Sequence, residues 1–90
     1  MTFEITVYSK PNCNACDATK IRFDKADVPY TPLPLTEDVA AEYAHHGFLA
    51  APIVTTGTRV WAGYRHDEIA ATIKRWNDTI RAQAREVNEP

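Results

Sequence analysis

Residues 3–8, Phe-Glu-Ile-Thr-Val-Tyr, alternate apolar and polar side chains at the two-residue period of a strand, and within a few positions that period changes. After a break at Ser9, Lys10, Pro11 and Asn12, the residues Cys16, Thr19, Phe23 and Ala26 recur at helical spacing until Asp27, Val28 and Pro29 stop them. A chain that switches between these periods must alternate strands and helices, and the switch repeats. Tyr30–Leu35 reads as a second strand, which Pro32 and Pro34 confine to a sheet edge because neither has a ladder donor. Thr36 caps a second helix, with Glu37 and Asp38 at its positive end, Val39, Tyr43 and Ala44 as its apolar stripe, and Gly47 just past its end. Pro52 opens a strand over Ile53–Thr55, Thr56-Gly57 turns into another over Thr58–Trp61, and Gly63 ends this hairpin. A last helix begins near His66 or Asp67 and carries Ile69, Ile73, Trp76 and Ile80 as one buried stripe. That stripe ends near Ala84, and Val87–Pro90 is expected to fray. The order βαβαββα predicts an α/β fold, a mixed four-stranded sheet flanked by three helices, as one domain over 1–84 followed by a tail over 85–90.

Ninety residues bury only about 60% of the surface the unfolded chain exposes, which leaves little room for a deep cofactor cavity. No bound cofactor is expected. A content of 44% hydrophobic and 24% charged residues fits a folded domain. The formal charge of −2 argues against a nucleic-acid partner, since the basic run Lys74, Arg75, Arg81 and Arg85 is interrupted by Asp78 and Glu86 and reads as a solvated helix face. Met1–Lys10 carries Glu4 and has no apolar run of signal-peptide length, and no stretch approaches a membrane span, so export by a signal peptide is not expected. Two cysteines are few for a secreted disulfide scaffold, so a reducing cytoplasm is the expected compartment, and the chain is expected to be a monomer.

The two cysteines, Cys13 and Cys16, lie three positions apart, where a bridge closes almost no loop and stabilises little. Their place at the handover from strand to helix points to chemistry instead. Unpaired amides and the positive end of the helix dipole favour an anion, so the Cys13 thiol is expected to ionise below the ~8.5 of a free cysteine. Cys16 is one turn further in, within reach of the Cys13 sulfur and shielded by its own helix. The pair therefore suits two-step exchange through a redox-active Cys13–Cys16 disulfide, in which Cys13 attacks and Cys16 resolves. Lys10 either adds to the positive field or is a solvated loop lysine. The competing reading is a zinc site on the same two cysteines. His45, His46 and His66 are the other soft candidates, but His45 and His46 are adjacent, unlike the usual spaced pair.

The strand-to-helix placement of the pair is thioredoxin-like, and that likeness bears on Pro52. An X-Pro bond that opens a strand is ordinarily trans. In the thioredoxin-like arrangement a cis proline faces the helix N-terminus, and Ala51 would then offer its backbone to an extended partner segment.

Taken together, these residues resemble the NrdH-type redoxins of the glutaredoxin-like family. The resemblance rests on Val7-Tyr8-Ser9-Lys10-Pro11 before the cysteines, Ala18-Thr19-Lys20 after them, Ala51-Pro52, and Trp61-Ala62-Gly63-Tyr64-Arg65, which is similar to the signature W-S-G-F-R. It implies an electron carrier with disulfide oxidoreductase activity, recharged by NADPH through thioredoxin reductase and serving the large subunit of class Ib ribonucleotide reductase. It further implies that Ala51 and Pro52 form the substrate platform and that Trp61, Gly63, Tyr64 and Arg65 close the adjoining partner surface. Trp61 also reads as a hairpin packing residue, Tyr64 as a surface anchor, and Arg65 as either a solvated charge or the partner of a carboxylate. Glutaredoxins that hold glutathione place Gly-Cys-Asp or Gly-Gly-Asp where this chain has Gly63-Tyr64-Arg65. Asn14-Ala15 between the cysteines, and Ala62 and Tyr64 in the signature, depart from the family's Val-Gln, Ser and Phe. The alternatives are a glutathione-dependent glutaredoxin and a zinc-bound or redox-sensing adaptor.

Overall fold

The structure, a computed structural model, describes residues 4–88, with side chains described over 4–82. Phe3 and the last two residues of the expected frayed end lie outside the described residues, as do the side chains on which the boundary at Ala84 rests. The elements are β1 (Thr6–Ser9), α1 (Asn14–Lys25), β2 (Thr31–Pro34), α2 (Glu37–Ala44), β3 (Ile53–Thr55), β4 (Val60–Ala62) and α3 (His66–Asn88). They form one mixed sheet in the order β2-β1-β3-β4, with β1 parallel to β2 and antiparallel to β3, and β3 antiparallel to β4. This is the expected element order.

The two prolines of β2 sit where a sheet edge tolerates them. The amides of Thr31 and Leu35 donate to the carbonyls of Ile5 and Ser9, at 2.8 and 2.9 Å. Alternation along the strand turns positions 32 and 34 away from β1, and both are proline. The outer rim thus lacks the donors that would recruit a further strand. β1 is shorter than the expected run and begins at Thr6, because the registers with β2 and β3 both start there.

Both loops that leave α1 and α2 close by the same device. After α1, the amides of Val28 and Asp27 donate to the carbonyls of Phe23 and Asp24, with Asp27 in the left-handed region at φ 56°. Val28 and Phe23 are both core residues, which supplies the apolar contact of this Schellman closure. After α2, Phe48 and Gly47 donate to Tyr43 and Ala44, and Gly47 takes the left-handed position. At the other end of α2, the Thr36 hydroxyl accepts the Val39 amide at 3.3 Å. Thr36→Ala is expected to cost about 1 kcal/mol, and so to lower the melting temperature by roughly 4–8 °C in a domain of this size. An unchanged melt would show that the cap contributes nothing.

Across the sheet, Val7, Val54 and Trp61 are in register and buried on one face, where Phe23 of α1 and Ile69 of α3 complete the core with Ile5 and Val28. The other face is covered more thinly. Tyr43 of α2 stacks at a tilt on Tyr8, with ring centroids 6.0 Å apart, and α2 contributes no fully buried residue. Ala44, part of its apolar stripe, is exposed.

Two further expectations need correction. The hairpin turns at Gly57-Thr58 and not at Thr56-Gly57, because the buried Thr56 hydroxyl accepts the Arg59 amide and the Thr56 amide donates to the Arg59 carbonyl. β4 accordingly starts at Val60. The stripe on α3 is buried only at first: Ile69 is inaccessible, Ile73 and Trp76 are half-buried, and Ile80 is 44% exposed. A helix of 23 residues runs about 35 Å, whereas the 12 residues of α1 packed beside it span about 18 Å, so the later turns of α3 outrun the core.

Candidate functional site

Four chain segments meet at the end of the sheet where β1 finishes. Pro11 and Asn12 turn the chain there, with Asn12 in the left-handed region at φ 56°, which asparagine tolerates better than most residues. The turn delivers Cys13 to the N-cap of α1 in extended conformation. The Cys16 amide points back and donates to Cys13 Sγ at 3.1 Å. The two sulfurs are bonded, with Cα atoms 5.2 Å apart. Cys13 remains partly accessible, while Cys16 is 1% exposed and faces the core beside Thr19, whose hydroxyl donates to the Ala15 carbonyl. One sulfur is thus open to attack from outside and the other is reachable only through it.

The Ala51–Pro52 bond is cis, as the thioredoxin-like arrangement implied. Ile53 is in register with Tyr8, which puts Pro52 level with Ser9, at the sheet end that carries Cys13. Pro52 is buried and Ala51 partly accessible. The Gly63 amide donates to the Pro52 carbonyl at 2.8 Å, so the end of β4 is fastened to the start of β3 at this same level. Gly63 adopts φ 80°, a left-handed conformation in which a side chain would be strained.

The remaining candidates separate by location. Trp61 is 1% exposed and its Nε1 is buried without a protein partner, so it supports the hairpin from within and presents no surface itself. Tyr64 is 39% exposed, and its hydroxyl accepts a hydrogen bond from Arg22 at 3.2 Å. Arg65 holds the Asp67 carboxylate through two hydrogen bonds of 3.1 and 2.9 Å, which settles its carboxylate partner within its own chain. Lys10 is exposed at the mouth of an apolar cleft of about 290 Å³ lined by Leu35, Ala40, Ala44, Phe48 and Leu49. The cleft and Arg22 escaped the sequence reading. The cleft draws its lining from the residues just after β1 and β2, from α2 and the loop after it, and from the start of β3, and nothing in the order of those residues brings them together. Among the described residues no three His, Cys, Asp or Glu side chains gather, so the zinc reading finds no ligand set there. No helix among them is long and apolar enough to cross a membrane.

The Arg65–Asp67 pair carries a pH signature. Hydrogen bonds from Arg65 hold the Asp67 carboxyl down to about 2. A folded value below the unfolded one means that whatever this exposed pair contributes is present above the unfolded value, and is lost as pH falls through about 2. A carbon-detected titration should find the Asp67 midpoint near 2 in the native protein and higher in Arg65→Gln, where the backbone amides of Asp67 and Glu68 still hold the carboxyl below its ordinary value. Equal midpoints would remove the pair from the account.

No family model matches the chain. Among individual proteins, it is 33% identical over 67 residues to the glutaredoxin-like protein NrdH of Salmonella typhimurium, covering 72% of this chain and 83% of the relative. It is 29% identical over 68 residues to the protein of the same name from Lactococcus lactis subsp. cremoris, covering 73% and 94%. In three dimensions it is similar to the NrdH-redoxin of Escherichia coli, with a TM-score of 0.71 and 27% identity over 76% of this chain and 92% of that one. The sheet order, the helix placement and this similarity together make the fold thioredoxin-like.

Proposed function

The chain belongs to the NrdH family of glutaredoxin-like proteins, and from that premise we propose that it is a dithiol carrier, reduced by NADPH through thioredoxin reductase, that delivers two electrons to class Ib ribonucleotide reductase. The observation that carries this reading is the N-cap geometry, in which an accessible Cys13 sulfur receives the Cys16 amide and has the Cys16 sulfur directly behind it. In the reduced protein, the Cys13 thiolate attacks one sulfur of the client disulfide and expels the other as a thiolate, leaving a mixed disulfide. Cys16, losing its proton, then attacks Cys13 Sγ and releases the client's second thiolate. The client leaves as a dithiol, and the carrier retains the Cys13–Cys16 disulfide. Reductase, NADPH and a proton restore the carrier, so each cycle oxidises one NADPH and reduces one disulfide.

Two features support a thioredoxin-type reductant over glutathione. Tyr64 and Arg65 follow Gly63, and both already have partners in the chain, Arg22 and Asp67. The E. coli relative is described by a thioredoxin-like activity profile, in keeping with such a supply. The platform is the backbone of Ala51 and Pro52, against which a client segment lies extended. Mixing the protein with thioredoxin reductase, NADPH and a disulfide substrate should consume NADPH only when all are present, and class Ib ribonucleotide reductase should serve as that substrate. Absence of turnover with such reductases, together with rapid reduction by glutathione, would identify a glutathione-dependent glutaredoxin instead.

A further inference from the structure

We infer that the hydrogen bond from Arg22 to Tyr64 positions the Gly63–Arg65 loop against α1, which makes Arg22 a positioning residue for the docking of protein disulfides; this rests on the carrier reading above. The site is assembled from two parts that are far apart in sequence. The cysteines belong to the N-terminal end of α1, and the platform belongs to the start of β3. The loop after β4 is tied to both. At one end, the Gly63 amide donates to the Pro52 carbonyl at 2.8 Å. At the other, the neighbouring Tyr64 receives Arg22 from the last turns of α1 at 3.2 Å, across 42 positions of sequence.

The flank of α1 involved is the one that borders the cysteines. Arg22 follows Ala18 by four positions and Ala15 by seven, so the three lie on one side of the helix, and all are half-buried. Ala15 is itself one of the two residues between Cys13 and Cys16. The phenol ring of Tyr64 is anchored by its hydroxyl at a point where phenylalanine would have no acceptor to offer. Arg22 makes no ion pair among the described residues, so the bond to Tyr64 does not compete with a carboxylate. An exposed bond of this kind adds little to global stability. Its effect is to restrict a loop that follows a left-handed glycine, and through Gly63 to keep that loop in step with Pro52.

The experiment compares a large disulfide, which needs the platform, with a small one, which needs only the sulfur. Insulin reduction with dithiothreitol as the electron source reports the first, and the reaction of the reduced protein with 5,5′-dithiobis(2-nitrobenzoate) reports the second. Arg22→Gln should raise KM for insulin about three- to tenfold, the scale of one lost hydrogen bond, and leave kcat and the small-disulfide rate unchanged. Tyr64→Phe, which keeps the ring, should raise KM for insulin by a similar factor. The double variant should be no worse than either single one, and Arg22→Lys should recover part of the loss. Equal losses with both disulfides, no change in either, or additive effects in the double variant would overturn the assignment. A wild-type protein inactive towards both disulfides would instead refute the carrier reading on which it rests.

Discussion

Cys13→Ser is expected to abolish reduction of any client disulfide, whereas Cys16→Ser should leave a protein that completes half a cycle and remains bound to its client. The difference follows from burial and direction. Cys13 is the accessible sulfur, and the helix amide at 3.1 Å favours its anion. A serine hydroxyl at the same position is not ionised at neutral pH and is a poor nucleophile, so exchange should fall to the level of the uncatalysed reaction. With Cys16→Ser the first attack proceeds, but nothing stands behind the mixed disulfide to displace the client. A band of carrier plus client should then accumulate on non-reducing gels and vanish with added dithiothreitol. The reverse pattern, with trapping by Cys13→Ser, would exchange the two roles.

The second large effect concerns the core. Trp61→Ala should destabilise the domain by about 3–5 kcal/mol, the usual range for truncating a buried aromatic. At roughly 0.05–0.15 kcal/mol per residue, a chain of 90 residues has about 5–13 kcal/mol in total. The loss is thus a large share of the whole, and the melting temperature should drop by roughly 12–40 °C. Trp61→Phe should cost much less, since it keeps a ring against Val7, Val54 and Phe23 while removing an indole N–H that is buried without a protein partner. Both are read from thermal and urea melts of the variants. A Trp61→Ala protein that melts within a few degrees of the parent would show that Trp61 is not the keystone of the hairpin.

Period and punctuation were enough for the element order, for Cys13 at a helix start and for Thr36 as a cap, because each depends on residues within a few positions of one another. Edge placement of β2 was equally local, since Pro32 and Pro34 can be accommodated in only one way. The turn of the hairpin lies one residue later than the local pattern suggests, because its place depends on Thr56 being buried and capping Arg59, and burial is a property of the assembled sheet. The buried part of the α3 stripe is shorter than its spacing suggests for a similar reason: Ile80 has the right spacing, but the body it would pack against has ended. Within the site, the motif Trp61–Arg65 gave no sign that its first residue points inward while Tyr64 points to α1. The donor that meets Tyr64 lies 42 positions away, and no local pattern couples the two.

The chemistry of the site depends on the end of α1 holding the Cys13 sulfur as an anion. Alkylation of Cys16→Ser by iodoacetamide across a pH series isolates that sulfur. The rate midpoint should lie clearly below the ~8.5 of an unperturbed thiol and return to that value when the protein is unfolded in urea. A native midpoint equal to the unfolded one would contradict an anionic Cys13.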